Sequence, residues 1–142
     1  MAETVRAVAI PLVEAGLADA ELRTDGGAGH ELRPRKATAA AVSVYVQSQH
    51  EVSLWPRVPG TDRAPTVDIY DADRARLLSA LREYLDAIVA GRIELTLRQG
   101  SSGGRCRFWL SDGSCSTHLY NVLRESRVGQ GEGWETFRPD AY

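Results

Sequence analysis

Lysine is almost missing from this chain: Lys36 is the only one among seventeen cationic side chains, the rest being arginine. Together with the abundance of Ala and Gly, that bias is what a GC-rich coding sequence produces. It also fits a demand for the forked guanidinium that grips carboxylates and phosphates. Cysteine is scarce too, with Cys106 and Cys115 alone, too few for a disulfide framework and too far apart for a Cys-x-x-Cys motif. Apolar runs are short. None approaches the ~18–20 residues that span a bilayer as a helix, so no membrane segment is expected. The start of the chain is acidic at Glu3, and Pro11 and Glu14 interrupt the stretch 7–18. It does not read as a signal peptide, and the chain is expected to be cytoplasmic, where a disulfide would not persist.

Excess positive charge is also lacking. The formal net charge is −2 over 142 residues, so a wholly basic nucleic-acid-binding surface is not expected, although a local arginine stripe escapes that average. The remaining composition, 43% hydrophobic and 25% charged, is that of an ordinary globular domain. The length fits one domain that buries its core without staples. Residues 1–142 are therefore read as a single α+β domain, with 129–142 as a docking or flexible tail that carries Trp134, Phe137 and Tyr142.

The clearest stretch runs from Thr66 to Leu110. Val67 and Ile69 alternate in a short strand. Asp71 is expected to cap the following helix, with Asp73 adding favourable charge to its first turn. Leu77, Leu81, Tyr84, Leu85 and Ile88 then form one stripe over a helix at 72–90, closed by Gly91. Ile93, Leu95 and Leu97 mark the next strand, and 105–110 another after a Gly-rich loop. Upstream, Val5, Val8, Ala9, Leu12 and Val13 recur at helical spacing over 3–15, with Pro11 expected to kink or shorten that helix. Val42, Val44 and Val46 alternate with Ser43, Tyr45 and Gln47, and Val52 with Leu54, before a loop marked by Pro56, Pro59, Gly60 and Pro65. The fold class is thus α+β: an antiparallel sheet of about five to seven strands with both helices packed on one face.

Two segments stay open. Residues 116–125 read either as a helix through Leu119, Val122 and Leu123 or as a strand centred on Leu119. The flanks of the turn at 25–29 read as two short strands. An offset of 75 residues aligns Ala15-Gly16 with Ala90-Gly91, Leu22-Arg23 with Leu97-Arg98, Gly29 with Gly104, and Tyr45 with Tyr120. If this is an internal duplication, 18–23 and 29–33 are strands, and so is 116–122. The element order resembles the small acidic secretion-chaperone-like fold. That resemblance implies a dimer that binds extended peptides.

No catalytic, cofactor or metal motif stands out. Cys115 and His118 would meet only if 116–125 were a helix. With Asp112-Gly113 as a two-residue hairpin turn, Cys106 faces Leu119, and His118 points away from both cysteines. The two thiols then lie roughly 13 Å apart along the ladder, beyond disulfide reach. His30 and His50 fall in or beside turns, where solvated histidines are the rule. The segment 100–104 lacks the Gly-Lys-Ser/Thr ending of a phosphate loop.

The functional lead is the sheet face opposite the aliphatic one. There the alternation places Tyr45, Trp55, Arg98, Arg105, Arg107 and Trp109, the residue types enriched at binding hot spots. The expected function is a binding or accessory protein that engages a protein partner, or a second copy of itself, through this face. Cover by the tail is the bland alternative. A thiol enzyme built on Cys115 and His118, and a nucleic-acid module built on Arg98, Arg105 and Arg107, are the competing functions.

Overall fold

A computed structural model describes residues 1–23, 29–122 and 124–142. The protein is α+β. Helix α1 (Ala2–Glu14) leads into strands β1 (Ala18–Arg23), β2 (Gly29–Pro34), β3 (Ala41–Val46), β4 (Glu51–Arg57) and β5 (Val67–Tyr70). Helix α2 (Arg74–Val89) leads into β6 (Ile93–Arg98), β7 (Gly104–Trp109) and β8 (Cys115–Tyr120), then a 3-10 turn (Glu125–Arg127) and β9 (Trp134–Phe137). The strands form two antiparallel sheets, ordered β1-β2-β3-β4-β5 and β8-β7-β6-β9. Pro65 and Thr66, which lead into β5, line one cleft together with Tyr120 at the end of β8.

One core joins both helices to both sheets. The α2 stripe of Leu77, Leu81, Leu85 and Ile88 is fully buried, and each such side chain contributes roughly 1.5–3 kcal/mol. It meets Val42, Val44, Val52, Leu54, Val67, Ile93, Leu95 and Phe108, all sealed in the same cluster. On α1 only Val5, Val8 and Ala9 are buried. Val13, expected in that stripe, is exposed together with Ile10 and Leu17. Pro11 sits inside α1 without ending it, although it lacks the N–H that would bond the Ala7 carbonyl and so costs the helix one hydrogen bond.

The 75-residue offset recurs in three dimensions. Shifted by that amount, β1 falls on β6 and β2 on β7, residue for residue, and β3 falls within one residue of β8. Gly29 pairs with Tyr45 as Gly104 pairs with Tyr120. Residues 115–120 are thus a strand, and the open choice at 116–125 falls to the extended reading. The turn at 25–29 lies largely outside the described residues.

Several local expectations need correction. Asp73, not Asp71, caps α2: its carboxylate accepts from the Arg76 amide at 3.1 Å, and the helix starts at Arg74. Asp71 instead accepts from the Asp73 amide at 2.8 Å, an Asx turn that precedes the cap. Pro56 lies within β4 rather than in a loop. The β4–β5 pairing ends at Leu54, so Pro56 sits where β4 has become an edge and a missing N–H is tolerated. His30 is on β2, opposite Val44, and is half-buried; burial, Arg6 and the chain's amino group hold its pKa low. His50, by contrast, is in the exposed β3–β4 turn.

Candidate functional site

The β7–β8 hairpin decides which side chains can work together. Its turn contains three residues, Ser111-Asp112-Gly113, because the Leu110 amide donates to the Ser114 carbonyl at 2.9 Å. Gly113 takes φ +83°, and the Asp112 carboxylate accepts from the Ser114 amide at 2.8 Å. A two-residue turn would have paired Cys106 with Leu119. The extra residue pairs it with His118 instead, and one step of register turns every side chain of β8 over. His118 therefore faces inward and Cys115 outward, opposite Trp109. The thiol and the imidazole lie on opposite faces of one strand, so the Cys115–His118 enzyme has no geometric basis. Cys106 is sealed in the core, where burial pushes its thiol pKa up to about 12.

His118 instead joins a polar cluster beneath α2. Its Nε2 lies 2.9 Å from the Tyr84 hydroxyl and 3.2 Å from Ser116 Oγ, and those two oxygens are 2.5 Å apart. Phe108 packs edge-on against both Tyr84 and His118. Burial lowers the His118 pKa, partly opposed by Asp68. The same burial raises the Tyr84 hydroxyl, which the Ser116 hydrogen bond opposes. Ser116 and His118 resemble a nucleophile and its base. However, neither lines any of the five main clefts of the described residues, and a nucleophile needs a substrate in reach. We read the cluster as structural. Among the described residues no group of three His, Cys, Asp or Glu side chains converges to hold a metal.

The expected partner-binding residues divide between the two sheets. On β7, Arg105, Arg107 and Trp109 project away from the buried Cys106 and Phe108, as the alternation requires. The two arginines are not free. Glu125, carried over them by the 3-10 turn, lies 2.6 Å from Arg107 and 3.6 Å from Arg105. Glu94 on β6 takes Arg105 at 3.6 Å and Arg138 at 2.6 Å. Only 15% of the Arg105 side chain remains exposed. The tail does dock, with β9 completing the sheet along β6, and it consumes much of the proposed stripe.

Tyr45 and Trp55 lie on the other sheet, with ring centres 5.5 Å apart in an edge contact. Trp55 is 42% exposed. Around the rings, Arg57 donates to Ser43 Oγ at 3.0 Å and pairs with Glu31, which also takes Arg33 at 2.9 Å. Ser53 donates to Asp68 at 2.6 Å. Those arginines hold the Glu31 carboxyl below its usual range, despite its burial.

Arg98, the last of the expected residues, stands at the mouth of a separate cleft of about 510 Å³. Its guanidinium lies 6.0 Å from the Trp134 ring centre. Arg124 and Arg127, which sequence reasoning missed, line the same cleft. Their only sequence signal is the glycine spacing that follows them. Gly129, Gly131 and Gly133 all adopt positive φ, so the chain folds back and returns Trp134 to β6.

No known protein family, curated protein or solved structure matches this chain. The resemblance to the secretion-chaperone-like fold accordingly rests on element order alone. No helix among the described residues is long and apolar enough to cross a membrane.

Proposed function

We propose that this chain is a non-catalytic binding protein that docks a protein partner on the outer face of the five-stranded sheet, around Trp55 and Tyr45. One observation carries the reading: a large, half-exposed indole braced by a neighbouring ring on a rigid strand. Beside it Ser43, Ser53 and Arg57 are already hydrogen-bonded, which lowers the cost of covering them. Trp and Tyr beside an arginine, here Arg57, form the composition of an interface anchor. Arg105 and Arg107 drop out of that surface because Glu125 and Glu94 hold them in ion pairs. Nucleic-acid binding through Arg98, Arg105 and Arg107 loses two of its three cations for the same reason. A cytoplasmic place of action is part of this proposal, supported by two free thiols, Cys106 and Cys115.

The test pairs Trp55→Ala with Tyr45→Ala, using Trp109→Ala as the control. Co-purified proteins are identified by mass spectrometry, and the mass of the free protein is measured by light scattering. Loss of one reproducible partner from the Trp55 and Tyr45 variants, with unchanged circular dichroism, supports the reading. If all three variants keep the same partner, the face is not the docking site. A wild-type dimer that dissociates in the Trp55 variant replaces the separate partner with a second copy.

A further inference from the structure

We infer that the cleft between Arg98, Arg124, Arg127 and Trp134 binds a pyrophosphate-bearing small molecule. The argument begins with charge. Three guanidiniums line one cleft, and no carboxylate lines it. Among the described residues none of the three side chains forms an ion pair. Arg105 and Arg107 on β7, by contrast, are both ion-paired to Glu125, and Arg105 to Glu94 as well. In a chain of net charge −2, three converging, uncompensated arginines repel one another, and an oxyanion in the cleft relieves that repulsion. Forked N–H donors match phosphate oxygens in pairs, so three of them suit two adjacent phosphates better than one.

The backbone is shaped for this convergence. β8 ends at Tyr120, and Asn121 then takes φ +47°, a left-handed conformation that Asn tolerates better than most residues. Its side-chain amide donates to Ser102 Oγ at 2.8 Å, tying the turn to the β6–β7 loop. The chain thereby doubles back, and the 3-10 turn sets Arg124 and Arg127 over the end of β6, where Arg98 lies. The third wall is fixed as well. Trp134 Nε1 donates to the Gln130 carbonyl at 2.9 Å, and its ring supports the Arg98 guanidinium. A cleft of about 510 Å³ is the size that small-molecule ligands fill. This inference is independent of the docking face around Trp55, which lies on the other sheet.

Calorimetric titration of the whole protein with inorganic pyrophosphate at about 50 mM salt tests it. Saturable one-site binding is expected, weakening as salt rises. The Arg124→Gln, Arg127→Gln double variant is expected to lose affinity roughly tenfold or more, whereas Arg82→Gln on the exposed face of α2 binds as wild type. Both cleft side chains are exposed and unpaired among the described residues, so the double variant should keep its circular dichroism. As a second measurement, pyrophosphate should change tryptophan emission in the wild type but not in Trp134→Phe. A nucleoside diphosphate that binds as tightly as pyrophosphate, or more tightly, also supports the site; the tighter case means that the cleft holds the nucleoside too. Absence of saturable binding to either probe overturns the inference. So does equal loss in Arg82→Gln, or binding seen only with a single-stranded oligonucleotide.

Discussion

Gly16 and Gly91, one at the end of each helix, close α1 and α2 with the same hydrogen bonds. The Gly16 amide donates to Val13 and the Leu17 amide to Leu12; the Gly91 amide donates to Ile88 and the Arg92 amide to Ala87. Both glycines sit in the left-handed region, at φ +72° and +69°, as a Schellman closure requires. Their surroundings differ. A β-carbon at Gly16 would meet nothing within 4 Å, whereas one at Gly91 would lie 2.7 Å from the Ala141 amide nitrogen and 2.8 Å from the Asp140 carbonyl carbon. Gly16→Ala should therefore cost about 1 kcal/mol, from backbone strain alone. Gly91→Ala should cost clearly more, because the strand-to-tail segment over α2 must also move. Urea unfolding midpoints decide it, and equal losses would mean the tail does not pack on Gly91.

Two buried tyrosines should respond in opposite ways to loss of the hydroxyl. The Tyr84 oxygen bonds Ser116 and His118, and Tyr84→Phe removes one partner from each, leaving only their mutual bond, at a cost of about 1–2 kcal/mol. The Tyr120 hydroxyl is buried with no hydrogen-bond partner among the described residues, so its transfer from water is uncompensated. Tyr120→Phe should be neutral or stabilising. A destabilised Tyr120→Phe protein would show that the hydroxyl does have a partner.

Stability should fall as pH drops from 7 towards 5. Burial holds the pKa values of His118 and His30 below the ordinary 6.5. In the window between each folded value and 6.5, the unfolded chain therefore binds more protons than the native one. Stability rises with pH through that window and is complete above it, with a slope of at most about 1.4 kcal/mol per pH unit for each histidine. The carboxylates held low, such as Glu31, titrate only below about 4.5 and leave the window clear. Denaturant titrations should show a shallower slope for His118→Gln and a flatter one for the His30→Gln, His118→Gln double variant. An unchanged slope in the double variant would place the titrating groups elsewhere.

The two thiols should separate cleanly in labelling. Cys115 is exposed and Cys106 buried, with the latter's pKa pushed up to about 12. A disulfide-exchange reagent should modify one thiol per native chain, and both in denaturant. The native reaction is that of the exposed Cys115. Cys115→Ser should abolish it. Two reactive thiols in the native state would contradict the sealed position opposite His118.

Much of this fold was legible because burial writes a period into the sequence. The α2 stripe from Leu77 to Ile88 and the alternation of Ile93, Leu95 and Leu97 record which atoms face the core. The aligned glycines and tyrosines marked the recurrent strands before any coordinate did. What escaped detection was offset by one residue, or by partners remote in sequence. A three-residue turn in place of a two-residue one reversed β8 and moved His118 inside. No local pattern announces that choice, because Asp-Gly suits both. Likewise, Arg105 and Arg107 alternate outward as expected, but their pairing with Glu125 depends on a segment folded back from beyond β8. The Arg124 and Arg127 cleft was hidden for the same reason: a loop composition does not reveal where its charges converge.

The placement of β9 has a consequence for synthesis on the ribosome. β6 is a nearly all-buried strand, yet one of its flanks is completed by residues translated long after it, across the whole β7–β8 hairpin and the glycine-rich return. Until then a sticky ribbon lies open to any other extended chain. The nascent protein thus passes through an interval in which aggregation competes with completion, and slowing translation between 120 and 134 would lengthen it.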